Sequence, residues 1–168
     1  LGEGIQEVTS GMETWLRDNI PFQIEQFGID ADSLADDQSP TTYPIDATTG
    51  SASFGFTMGY DPKYKRILIT KKERIPTERF VNQFNSGLIR VDVRGSNQVF
   101  QAVDILNNPF DLSFSDPLYF SQGGWTLSYY PELQVWGSRH SYDPSMYVST
   151  QSDLLSVKNF SVWRHDNT

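Results

Sequence analysis

The chain contains no cysteine. That absence excludes disulfides, thiolate zinc sites and a cysteine nucleophile, and argues against a small secreted scaffold, which usually depends on disulfides. No apolar run approaches the roughly 20 residues of a membrane span, and no charged n-region followed by an apolar h-region marks a signal peptide. Basic residues are scarce. Thirteen Lys and Arg face 21 Asp and Glu, a net charge of -8 that repels nucleic acid at long range. A nucleic-acid-binding domain normally shows the opposite balance. Neither GxGxxG nor GxxxxGK[ST] occurs, nor GxSxG, nor HExxH, so the phosphate loops, the hydrolase elbow and the zinc-protease helix are missing.

What is present is aromatic. Phe, Trp and Tyr make up 14% of the residues against 20% for all charged types, a balance that favours an aromatic-packed β protein over a helical bundle. A length of 168 residues suits one domain or a tightly joined pair, and lets such a chain bury roughly 70% of its unfolded surface. The chain opens on Leu1 rather than Met, which reads as a processed product or a fragment of a longer protein.

Residues 5–20 carry a helical pattern, with Ile5, Val8, Met12, Trp15 and Leu16 close to one face. Pro21 ends it, and Gly11 weakens it by about 1 kcal/mol. So short a face must dock on a sheet of this chain or on a neighbour. Residues 28–53 read as a long acidic loop. Together, 1–53 are expected to form an N-terminal helix-and-loop region and 54–168 an antiparallel β domain, itself expected to belong to a larger protein. Within it, Phe54, Phe56, Met58 and Tyr60 alternate with small or polar residues as a half-buried strand. Asp61-Pro62-Lys63 turns the chain and Ile67-Leu68-Ile69 returns. Residues 73–86 read as irregular around Pro76. Leu88–Val93 and Val99–Ile105 form a second hairpin across Gly95-Ser96-Asn97, with Pro109 and Pro117 in the loop that follows. Trp125–Tyr129, Val135–Tyr142, Met146–Thr150, Leu154–Lys158 and Phe160–His165 follow as short strands. This spacing predicts a mainly β fold with one N-terminal α-helix, its antiparallel sheets resembling propeller blades or a small sandwich.

A weak repeat supports the blade reading. Tyr60 is followed by a Pro turn and, seven residues on, by Ile67. Tyr129 is followed by a Pro turn and, seven residues on, by Trp136. Each pair is expected to face across a hairpin ladder and pack. Two ordinary hairpins would give the same pattern. A closed propeller needs at least four blades of about forty residues, more than this chain holds.

Candidate chemistry is thin. His140 and His165 each stand beside an arginine in a strand pattern, and a surface or hydrogen-bonded role outweighs a metal site, which wants more ligands at set spacing. Asp30, Asp32, Asp36 and Asp37 suggest calcium, but Leu34 falls where a ligand is needed and the turn glycine is missing, so a solvated acidic loop is favoured. Trp125, Trp136 and Trp163 could stack on sugars if exposed, yet a tryptophan in an alternating strand is more often core. No carboxylate pair stands out as a glycosidase site. Asn159-Phe160-Ser161 is a glycosylation sequon with no supporting context. Lys71-Lys72 is read as decorating a strand end and discouraging edge pairing. No catalytic residue, cofactor site or metal site is assigned.

Several segments resemble the muzzle proteins of crAss-like bacteriophages, in the family's order. They are Gly59 to Lys72 (GYDPKYKRILITKK), Trp125 to Ser138 (WTLSYYPELQVWGS) with Ser141-Tyr142-Asp143-Pro144, the opening Gly4 to Val8 with Trp15, Ile20, Pro21 and Phe22, and the tail Leu155 to Asn159 with Trp163-Arg164-His165. Residues 28–53 and 73–122 have no counterpart in that likeness. The resemblance implies a non-enzymatic structural component of the virion tail, at the distal exit channel for DNA and ejected proteins, oligomeric with copies of itself and with neighbouring tail proteins. Acidic walls would keep DNA from sticking to such a channel. A carbohydrate-binding β module for host attachment is the alternative.

Overall fold

A computed structural model describes residues 11–30, 45–46, 51–52, 54–95, 97–158 and 161–165. The order begins with helix α1 (Glu13–Asn19), a 3-10 turn (Gln23–Phe27), the short ladder β1 (Ile45–Asp46) and β2 (Ser51–Ala52), then β3 (Gly55–Asp61), β4 (Arg66–Pro76) and helix α2 (Glu78–Asn85). It continues with β5 (Ile89–Arg94), β6 (Asn97–Val103), β7 (Pro109–Asp111), β8 (Phe120–Tyr130), β9 (Val135–His140), β10 (Met146–Ser149), β11 (Leu154–Lys158) and β12 (Ser161–Arg164). The fold is mainly β and antiparallel, and no barrel closes among the described residues.

The centre is a four-stranded sheet in the order β3-β4-β8-β9. This is a meander, the strand count of a propeller blade, interrupted between its second and third strands by residues 77–119. Its two hairpins are the repeat seen in the sequence. Tyr60 pairs with Ile67 and Tyr129 with Trp136, and the second pair packs ring on ring at 5.1 Å. Both turns place a residue in the left-handed region at the same point, Lys65 at φ 50° and Gln134 at φ 54°. The turns lie at one end of the sheet, joined by Lys65 Nζ donating to Glu132 Oε1 at 3.0 Å.

β4 and β8 are long enough to serve two cores. At one end the sheet β10-β11-β12 lies against β3, with Tyr60 N–H donating to Ser149 Oγ at 2.9 Å. Tyr147 and Leu154 sit directly over Gly59, where a Cβ would fall 2.4 Å from Tyr147 Cβ. Leu68, Tyr147 and Leu154 are buried there, and the hydroxyls of Thr70, Thr126 and Tyr147 form a chain with both links at 2.8 Å. At the other end, α2, the 3-10 turn and the sheet β5-β6-β7 enclose a phenylalanine cluster. Phe54, Phe80, Phe100 and Phe120 are buried, with Phe22, Phe27, Phe84 and Phe114 packed on them. Most of these pairs meet edge to face, as Phe80 and Phe100 do at 4.9 Å, the arrangement the ring quadrupole favours.

The N-terminal segment docks on this chain's own sheet. The helix is shorter than the sequence pattern predicts, Glu13–Asn19. Residues 5–10 lie outside the described part, as does most of the acidic stretch 28–53, including Asp32, Asp36 and Asp37. Trp15 meets Trp125 edge-on at 5.2 Å, and Ile24 and Ile29 enter the phenylalanine core. Two expectations are overturned. Residues 73–86 are not irregular: β4 runs on to Pro76, and Thr77 then caps α2, its Oγ1 accepting from Phe80 N–H. The fold therefore has two α-helices, not one. Lys71 and Lys72 mark no strand end either. They lie inside β4, which is flanked by β3 and β8, and both are buried. Charge could go inside because the N-terminal segment supplies oxygen acceptors to Lys71.

Candidate functional site

β9 pairs with β8 only as far back as Thr126, opposite His140. The earlier part of β8 thus has an edge that β9 leaves open. A cleft of about 370 Å³ lies along it, lined by Gln122, Gly124, Arg139, Ser141, Asp143 and Lys158 among others. Gly124 is required here. Its φ is +120°, and a Cβ would stand 2.1 Å from the Lys71 carbonyl oxygen. A second cleft of about 340 Å³ shares Tyr142, Asp143 and Lys158 with the first and adds Pro144, Ser156, Trp163, Arg164 and His165.

Asp143 stands between the two lobes. Its carboxylate accepts from Lys158 Nζ through one oxygen and from Gln122 Nε2 through the other. It is the only carboxylate lining either lobe among the described residues, so the paired-carboxylate geometry of a glycoside hydrolase is not built there. Cations gather instead. Lys72 and Arg74 share a sheet face with Gly124 and Gln122, their register partners on β8, and Arg139 lines the first lobe. Burial holds the Lys72 ammonium below the ordinary lysine range; Asp143 opposes that shift, and Lys158 and Arg74 add to it.

The two histidines, distant in sequence, flank one ring. Tyr142 lies 5.1 Å from His140 and 4.9 Å from His165, and His165 Nε2 is 2.8 Å from Ser156 Oγ. No group of three or more His, Asp or Glu suited to a metal occurs among the described residues. The tryptophans divide. Trp125 is buried and donates Nε1–H to the Asn19 carbonyl at 3.3 Å. Trp136 packs on Tyr129, and Trp163, 62% exposed, lines the second lobe. Nothing in the sequence pattern singled out Gln122, Asp143 or Lys158 as members of one site. Lys72 and Arg74, read as a strand end and as irregular chain, come to share a face with the cleft residues Gly124 and Gln122 only through the β4–β8 pairing.

On the opposite face of the meander, Phe56, Met58 and Tyr60 form an exposed apolar row along β3, with Met58 65% exposed. Half-buried Ile67 and Ile69 stand beside them in register on β4.

The chain matches no protein-family model, no curated protein and no solved structure.

Proposed function

We propose that the chain is a non-catalytic structural segment of a bacteriophage tail, of the muzzle or nozzle type. It works by assembling with copies of itself and with neighbouring virion proteins at the exit channel for DNA and ejected proteins. The observation that carries this reading is the row Phe56, Met58 and Tyr60. A row of large apolar side chains on a sheet face is surface that a monomer has reason to cover, and assembly covers it. Two of the segments that resemble the phage family, Gly59 to Lys72 and Trp125 to Ser138, fall in the two hairpins of that sheet. The net charge of -8 suits a surface that DNA must pass without adhering.

Light scattering across a concentration series tests the proposal. The expected result is a mass that rises with concentration, and a Met58→Glu variant that stays monomeric with stability within about 0.5 kcal/mol of the parent, since Met58 faces solvent. A parent that is monomeric at every concentration would remove the support this face gives. The alternative, a carbohydrate-binding β module for host attachment, is favoured by exposed Trp163 lining a cleft and disfavoured by buried Trp125.

A further inference from the structure

We infer that the two-lobed cleft around Tyr142 binds an acidic saccharide, its carboxylate on the side of Lys158 and Arg139 and its ring against Trp163. This inference rests on the carbohydrate-binding reading and is independent of the tail assignment. The first observation is an imbalance of charge. The chain carries 21 acidic residues against 13 basic ones, yet Arg139, Lys158 and Arg164 line the two lobes against the single carboxylate of Asp143, and Lys72 lies close enough to interact with Asp143, Lys158 and Arg74. Both oxygens of that carboxylate are engaged already, by Lys158 and Gln122. Lys72 is 8% exposed, and its ammonium makes no hydrogen bond among the described residues. A cation taken out of water without a close partner is unfavourable. An anion entering the first lobe would add its field to that of Asp143 on Lys72, and Arg139, exposed at the rim, can meet it with a planar fork suited to a carboxylate.

The second observation separates a sugar acid from a bare anion. The lobe beyond Asp143 is walled by Tyr142, Pro144, Trp163 and His165, and the exposed Trp163 offers aromatic surface to an apolar sugar face. Gln122 and Ser141 lie on the other side, within the first lobe, as partners for hydroxyls. Lobes of about 370 and 340 Å³ fall in the range of small-ligand sites. An apolar wall with a few convergent polar groups is how such sites combine affinity with orientation. Nucleic acid is a poor fit, because the net charge of -8 opposes a polyanion at long range.

The test is titration of the protein with N-acetylneuraminic acid and with galacturonic acid oligomers, read by calorimetry and tryptophan fluorescence. Galactose, N-acetylglucosamine and inorganic phosphate are the comparison ligands. The expected result is binding of the acidic sugars at least about tenfold tighter than of the neutral ones, the factor one charge-assisted contact supplies, and weakened by salt. Trp163→Ala and Arg139→Ala alter exposed side chains, so the fold survives, and each should weaken binding about tenfold or more. Equal binding of neutral and acidic sugars would overturn the inference and leave the carbohydrate-binding reading standing. Phosphate binding tighter than any sugar acid would overturn it in favour of a phosphate site. No binding to any of these ligands would overturn the inference and remove the carbohydrate-binding reading with it.

Discussion

Removing the Lys71 ammonium should release the N-terminal segment from the sheet. Lys71 is 1% exposed, and Glu73 is the next residue on the same face of β4. The ammonium donates to the Asn19 carbonyl, the Pro21 carbonyl and Glu73 Oε1, each at 2.9 Å, which uses all three of its donors. Glu73 Oε2 in turn accepts the Gln23 N–H at 2.9 Å, and the Phe22 ring lies 5.0 Å from Lys71 Nζ. Lys71→Met keeps much of the stem's volume but leaves a buried carboxylate without its cation and two carbonyls without their donor. Breaking a buried pair from one side costs about 3–5 kcal/mol. For a domain of this size each kcal/mol lowers Tm by about 2–4 °C, so Tm should fall by about 6–20 °C. The loss should reach the whole fold, because Ile24 and Ile29 belong to the phenylalanine core. Thermal melts by circular dichroism give Tm, and tryptophan emission reports release of Trp15 from Trp125. The double variant Lys71→Met/Glu73→Gln should recover part of the loss, since neither charge of the pair is then left buried without the other, but not all of it, since the Asn19 and Pro21 carbonyls still lack a donor. A Lys71→Met Tm within about 2 °C of the parent would refute the reasoning, that being less than 1 kcal/mol. So would a double variant no more stable than the single one.

Gly59→Ala should destabilise by about 1–3 kcal/mol through overpacking, because the added Cβ would fall 2.4 Å from Tyr147 Cβ and 2.9 Å from Leu154 Cδ1. Urea denaturation measures this, and unchanged stability would mean that the third sheet shifts freely on β3. Asp104 accepts from the N–H groups of Leu106 and Asn108, and the hydrogen bonds from Asn108, first its backbone N–H and then its side chain, hold its pKa below the ordinary aspartate value. A depressed carboxylate stabilises the fold above the unfolded-state pKa of about 3.9 and loses that contribution as pH falls through the lower folded value. Asp104→Asn should therefore flatten the acid limb of the stability curve, and an NMR titration of Asp104 at the ordinary aspartate value would contradict the cause assigned.

The β class and the hairpins were legible because their causes are local. Alternation of Phe56, Met58 and Tyr60 with small or polar neighbours sets a strand, Pro62 and Pro131 set turns, and Tyr60 with Ile67 and Tyr129 with Trp136 fix registers that the structure reproduces. Helix α2 was within reach too. Thr77 as a cap followed by Phe80 and Phe84 at helical spacing is a start signal, masked in the reading by Pro76, which ends the preceding strand. What the sequence could not supply is the pairing of β4 with β8 across the 77–119 excursion, since a strand's pattern shows which side chains share a face but not which strand lies beside it. Two properties depend on that pairing. Lys71 and Lys72 look exposed in any local window, and they are buried because β8 covers one edge of β4 while the carbonyls of Asn19 and Pro21 arrive to accept from Lys71. The cleft draws Gln122, Arg139, Asp143 and Lys158 from separate stretches of chain. Local chemistry determined the hairpins, and tertiary structure alone decided which polar groups met and which charges left water, because both follow from contacts between segments far apart in sequence.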